Sequence, residues 1–164
     1  MKYKATLFIA LITLLLFSPA YALEKVRLQL KWKHQFQFAG YYAAQHLGFY
    51  REVGLDVEIL EASPGMDAID VVLNGGAEYG IGNSGILLKR AEGKPLVVLA
   101  VIMQHSPFIL LTRQESTLNG LQDLSGKRLM LEPMADEIIA FLHHEGLPLE
   151  RFETVVDDTH NLNA

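Results

Sequence analysis

Three short polar stretches of this 164-residue chain carry side chains suited to recognising a small molecule. They are Trp32 with Gln35 and Gln37, the run Gly82-Asn83-Ser84-Gly85, and the run Gln104-His105-Ser106-Pro107. Trp32 is the single tryptophan, and its flat ring suits stacking on a planar heterocycle or a partly buried core position. Gln35 and Gln37 bear amides that both donate and accept, so they either hydrogen-bond a ligand's rim or face solvent. In 82–85 two glycines permit close backbone approach, while Asn83, Ser84 and the first N–H groups of a following helix supply donors. A plain β–α turn has the same composition. The run is not a phosphate-binding P-loop, which needs another glycine spacing and a Lys-Ser/Thr pair. His105 reads as a base, a ligand donor or a polar residue where a strand gives way to a linker. Ser106 beside it does not make a hydrolase, because strand neighbours point to opposite faces and the chain has no G-x-S-x-G elbow.

The remaining titratable groups point to no reaction. His143 and His144 are adjacent on a predicted helix, about 100° apart, and are poorly placed to share a metal. Glu132, Asp136 and Glu137 near that helix's start suit its dipole. Neither a metal site, a nucleophile triad nor a catalytic carboxylate pair is expected.

The elements that must position these stretches follow from periodicity. Val26, Leu28, Leu30 and Trp32 alternate with Arg27, Gln29 and Lys31, predicting a strand that ends near Trp32. Ala39, Tyr42, His46, Phe49 and Val53 then share one helical face, with Gly48 as an interruption and Gly54 as the closing residue. Leu55, Val57 and Ile59 alternate with Asp56 and Glu58, predicting a second strand parallel to the first. Lys33 to Phe38 therefore sits at the carboxyl end of a parallel strand, where open α/β sheets bind ligands.

Beyond Ser63-Pro64-Gly65, Met66 to Leu73 has helical spacing, Glu78 to Gly82 reads as a short strand, and Ser84 is placed to cap a helix over Ile86 to Ala91. Leu96 to Met103 reads as a buried parallel strand, resumed by Phe108 to Thr112 after the polar interruption. Strands over Lys127 to Leu131 and Thr154 to Val156 flank a helix from Asp136 to His144, and Thr159 could cap a further helix. The alternation predicts an α/β fold, a parallel sheet with helices on both faces, and then a second α/β unit too short to close a core.

Composition limits the partners. Half of the residues are hydrophobic and a fifth charged, which is ordinary for a globular chain. Lys2 and Lys4, the apolar run Ala5 to Phe17 and Ala20-Tyr21-Ala22 form the pattern of a secretory signal peptide cut after Ala22. Thirteen residues rise about 20 Å as a helix, short of a bilayer core of roughly 30 Å. Cleavage would remove two lysines and no acids, leaving twelve bases against nineteen acids, a net charge of −7 that disfavours nucleic acid and anionic membranes. With no cysteine there is neither a disulfide nor a thiol to lipidate. The expected location is the periplasm.

The stretches LKWKHQFQFAGYYAAQHLGFYREVGLDVEI, GGAEYGIGNSGILLKRAEGKPLVVLAVIMQHSPFILL and LQDLSGKRLMLEP, in that order, resemble the SsuA/THI5-like (NMT1/THI5) family of solute-binding proteins. The resemblance implies a type II periplasmic-binding fold, in which two α/β lobes close on a small ligand. On that pattern residues 1–22 are the signal peptide, 23–112 the first lobe and 113–164 the start of a truncated second lobe, leaving an unpaired sheet edge and poor solubility. Members bind thiamine-pyrimidine precursors, sulfonates or similar compounds. They serve ABC transporter membrane subunits or, as input domains, a fused signalling module such as a histidine kinase or diguanylate cyclase. Trp32 matches the family's first-strand tryptophan and Gly40 its glycine, with Tyr41 beside it counted among the binding residues. Where pyrimidine-binding members show Pro, Asn and His, this chain has His34, Gln35 and Phe38. The family also includes a suicide synthase of the thiamine pyrimidine, which uses pyridoxal phosphate on a lysine with a nearby histidine. Gly80 to Leu88 carries neither residue, so the expectation is a binding protein without cofactor and not an enzyme.

Overall fold

A computed structural model describes residues 22–114, 117–132 and 134–156. Residues 1–21 of the signal pattern and the helix start at Thr159 lie outside the described residues.

The first unit is built around β1 (Glu24–Gln29). A 3-10 turn at Phe36–Phe38 leads into α1 (Ala39–His46), and α2 (Phe49–Glu52) follows. Gly48, at φ 84°, separates the two helices, and Gly54, at φ 83°, turns the chain into β2 (Leu55–Leu60). Both glycines adopt a left-handed backbone that a side chain would strain. β2 runs parallel to β1 in register from Glu24↔Leu55 to Gln29↔Leu60. The pairing persists past the strand ends, since Leu30 N–H donates to the Leu60 carbonyl at 2.8 Å and Ala62 N–H to the Trp32 carbonyl at 3.1 Å.

Next comes α3 (Ala68–Leu73), capped by Asp67, whose Oδ1 accepts from Ile69 N–H at 2.8 Å. Its successor β3 (Tyr79–Gly80) pairs with the free side of β1, giving the order β2-β1-β3 with β1 central. Residues alternate across a sheet. Ile81 joins Val26, Leu28 and Val57 in a cluster closed by Tyr41 of α1 and Tyr50 of α2. Gly80 and Gly82 face α3 instead, where a Cβ on Gly80 would lie 2.9 Å from Val72 Cγ2.

After α4 (Ile86–Ala91) and a long connection, β4 (Arg128–Leu131), α5 (Asp136–His144) and β5 (Glu153–Val156) form a second unit in which β4 and β5 pair in parallel. Its core is Leu131, Ala135, Ile138, Leu142 and Leu147, with Phe108 and Leu110 packed against it. The mixed α/β class with parallel strands and helices agrees with the sequence reading.

Three local expectations fail. Residues 96–112 belong to neither of the two sheets among the described residues. Leu96 alone of the run 96–103 is buried, while Val97 and Leu99 are 80% and 74% exposed. A parallel strand buried on both faces needs ladder partners and covering helices, and an apolar run without them gains nothing from extension. Phe108 to Thr112 likewise forms no strand, although Phe108 and Leu110 dock on the second core. Finally, Ser84 does not cap α4: the residue before that helix is Gly85, whose N–H is taken by Asn83 Oδ1 at 3.0 Å.

Candidate functional site

The carboxyl ends of β1 and β3 open onto a cleft of about 550 Å³. The loop after β1, the N-terminus of α3, the turn after β3 and the turn after β4 form its walls. Trp32 and Phe108 bring aromatic surface, Met66, Ile69, Ile81 and Met134 aliphatic surface, and Gln35, Gln37 and Asn83 amides. Trp32 is half-buried. Gln37 Nε2 donates to Gln35 Oε1 at 3.2 Å, so the two amides act as one hydrogen-bonding edge. A flat ring among apolar walls with few polar groups is the composition of a small-molecule site.

The turn after β3 is placed by close packing and by hydrogen bonds. A Cβ on Gly82 would stand 3.3 Å from Ile69 Cγ1, so glycine lets this turn approach α3. Asn83 Nδ2 reaches the Met134 carbonyl at 3.4 Å, and Ser84 Oγ donates to Glu137 Oε2 at 2.9 Å. Met134 takes a left-handed φ of 61°, uncommon for a side-chain-bearing residue. These contacts join the turn after β3 to the start of α5 and close one end of the cleft.

The loop after β1 has its own brace. The His34 ring meets Tyr42 edge-on at a centroid separation of 5.8 Å, with His34 Nδ1 hydrogen-bonded to the Tyr42 hydroxyl. His34 Nε2 lies 3.8 Å from Glu61 Oε2. Burial, and then the charge of Glu61, raise the Tyr42 pKa above the ordinary phenol value.

Trp32, Gln35, Gln37, Gly82 and Asn83 therefore come together as the sequence predicts, and five other candidates do not. Gly40 lies on α1 with open space around it. Tyr41 packs into the cluster with Val26, Leu28 and Val57, where burial raises its phenol pKa. Ser84 turns toward Glu137 rather than lining the cleft. His105 and Ser106 are exposed on the connection outside the cleft, and Ser106 Oγ accepts from Phe108 N–H at 3.3 Å. The third converging loop was expected to present His105; in its place the same connection presents Phe108. Without a strand over 96–103, nothing carries His105 to the sheet's rim.

Sequence reasoning missed Lys31, Asp67, Phe108, Glu132 and Met134 as wall residues. Two of them had a signal. Asp67 directly precedes a helical run, the N-cap position, and Glu132 directly follows a parallel strand, the position at which the carboxyl-end rule applies. A second hollow, of about 650 Å³, runs beside β1 and β2 under α1, where Gln45 Nε2 donates to the Val57 carbonyl at 2.7 Å. None of the predicted polar stretches reaches it.

Comparison with known proteins adds the following. The family model described as NMT1/THI5 like matches residues 35–163. A protein of Legionella pneumophila named 4-amino-5-hydroxymethyl-2-methylpyrimidine phosphate synthase is 28% identical over 107 residues, covering 65% of this chain and 34% of the relative. A putative thiamine biosynthesis protein of Haemophilus influenzae is 29% identical over 119 residues, covering 71% of this chain and 37% of the relative. The chain thus spans about a third of the length of the curated relatives it matches. The first name corrects one expectation: the sequence reading made the chain a non-enzyme, and a relative named as a synthase overturns that exclusion.

Proposed function

The chain belongs to the NMT1/THI5-like family, and we propose from that premise that its cleft holds a small planar heterocycle of thiamine-pyrimidine chemistry. The observation that carries this reading is the meeting of Trp32, Gln35, Gln37 and Asn83 on one cleft at the carboxyl ends of parallel strands. Trp32 supplies a stacking face, the paired amides read ring nitrogens and exocyclic groups, and Gly82 allows the wall to come close. The names of both relatives, one a pyrimidine phosphate synthase and one a putative thiamine biosynthesis protein, support the ligand class. The reading extends to a type II periplasmic-binding arrangement, with residues 23–112 as one lobe and 113 onward belonging to the other.

Two roles fit such a cleft. One is delivery: the export pattern of residues 1–22 supports a periplasmic protein that hands its guest to ABC transporter membrane subunits, or reports it to a fused signalling module. The other is synthesis, supported by the name of the Legionella relative. The family's synthase chemistry uses pyridoxal phosphate on a lysine, and the corresponding stretch here does not fit it. Gly80 to Leu88 has no amine, and the next residue, Lys89, holds its Nζ on Asp70 Oδ1 at 3.0 Å.

Thermal unfolding of the chain with added 4-amino-5-hydroxymethyl-2-methylpyrimidine tests the binding reading. The melting temperature is expected to rise with the logarithm of ligand concentration, and a Trp32→Ala variant is expected to lose most of that rise. Pyrimidines, thiamine and sulfonates all leaving the melting temperature unmoved would remove the ligand class. Adding pyridoxal phosphate separates the roles: an imine absorbance band that borohydride abolishes supports synthesis, and ligand-dependent stabilisation without that band supports delivery.

A further inference from the structure

The charges around the cleft narrow the ligand further, on the reading just given. Asp67, Asp70 and Glu132 line it, and among the described residues of its wall Lys31 is the only ammonium. Asp70 is paired with Lys89 at 3.0 Å. Outside the wall, Glu137 accepts from Ser84, and Asp136 Oδ2 lies 3.0 Å from the position a Cβ on Gly85 would take. With the Asp70–Lys89 pair cancelled, Lys31 faces two carboxylates, Asp67 and Glu132, among the described wall residues. Two carboxylates against one ammonium leave the wall net negative, and salt screens the exposed Glu132 more than the half-buried Asp67.

Helix N-termini normally offset such a balance by attracting phosphate. Here acidic side chains stand at the starts of α3 and α5. Asp67 caps α3 with its Oδ1 on Ile69 N–H, and α5 begins with Asp136 and Glu137 in its first turn. Carboxylates only accept hydrogen bonds, so they suit a guest with amino N–H groups or a protonated ring. A phosphate brings a charge of about −1.5 to −2 and acceptor oxygens alone.

We propose that the cleft sorts its guests by charge, taking a neutral or cationic amino-bearing heterocycle and excluding the phosphate ester of the same ring. Asp67 and Glu132 set this preference.

The test is thermal unfolding of the 164-residue chain titrated with 4-amino-5-hydroxymethyl-2-methylpyrimidine and, separately, with its monophosphate, at low and at physiological salt. The phosphate ester is expected to need about tenfold more ligand, or beyond, for the same shift, a ratio that salt reduces. Glu132→Gln and Asp67→Asn are each expected to narrow the ratio. Asparagine caps a helix about as well as aspartate, so the second variant keeps α3 intact. A monophosphate that binds as tightly as the alcohol, or a ratio untouched by both variants, overturns the charge selection while leaving the pyrimidine reading standing. If neither compound stabilises the chain, the pyrimidine reading itself falls and takes this inference with it.

Discussion

Residues 24–60 and residues 96–112 are both rich in branched aliphatic side chains, and the two regions end in opposite states. In the first, Val26, Leu28 and Val57 are 4%, 8% and 8% exposed, and six consecutive residue pairs join β1 to β2. In the second, Leu96 goes under, but Val101, Ile102 and Leu111 lie 65%, 69% and 78% exposed. Composition does not separate them; neighbours do. The crossover through α1 and α2 returns the chain beside β1 and brings Tyr41 and Tyr50 over the sheet in the same stroke. No such crossover serves 96–112 among the described residues. A hydrophobic run supplies a driving force in proportion to the area it removes from water, and an extended segment with no surface to meet removes little.

Mutation breaks or sharpens this contrast. The largest effect is expected at Leu30, fully buried at the end of β1: Leu30→Ala should cost about 2–5 kcal/mol in urea unfolding, the usual range for a core leucine. Leu99→Ala, at an exposed site, should stay within about 0.5 kcal/mol. Equal costs at the two sites would mean that 96–112 is packed in solution, and the contrast would be lost. A smaller effect is expected from a pair of glycines. Gly80→Val places a branched side chain where even a Cβ would stand 2.9 Å from Val72 Cγ2 and 3.2 Å from the Ala68 carbonyl oxygen, an overpacking worth about 1–3 kcal/mol. Gly40→Ala, on α1 with nothing within 4 Å, should instead gain about 0.5–1 kcal/mol. The two variants differ in sign only if α3 is seated on β3 as tightly as α1 is open at Gly40.

The same contrast explains what could be read from the sequence. The β1-α1-α2-β2 unit was legible because its signals are local: a period-2 strand, a helical face interrupted at Gly48, and a left-handed turn at Gly54. The α5 boundaries, Asp136 and His144, were legible for the same reason. The strand predicted over 96–103 failed because burial is a property of surroundings, which an apolar run does not report. At the cleft, Trp32, Gln35, Gln37 and Asn83 were found by one rule, that loops at the carboxyl ends of parallel strands meet. That rule placed His105 wrongly because it assumed a strand ahead of it. Phe108, Met134 and Glu132 enter the cleft through packing between the two units, contacts separated by 50 or so residues that no local pattern encodes.

The smallest effect expected is electrostatic, and it probes how β3 is tied to β1. Glu78, just before β3, takes three hydrogen bonds from Arg27 of β1: Nη2 at 2.6 Å, Nε at 3.2 Å and the backbone N–H at 2.7 Å. The Arg27 side chain, and then its backbone N–H, lower the Glu78 carboxyl from 4.5 to about 2. A carboxyl held below its unfolded value binds its proton more weakly in the folded chain, so its contribution to stability is complete above pH 4.5 and is lost as pH falls through about 2. Both partners are about two-fifths exposed, so the contribution is modest and shrinks in salt. Stability of the native chain should therefore fall more steeply between pH 5 and 2 than that of Glu78→Gln, the two curves converging at the acid end and drawing together at high salt. Parallel curves over that range would mean that β3 stays on β1 through its two ladder pairs and the α3 contact alone, and that the pairing seen across 24–60 extends to β3 without help from charge.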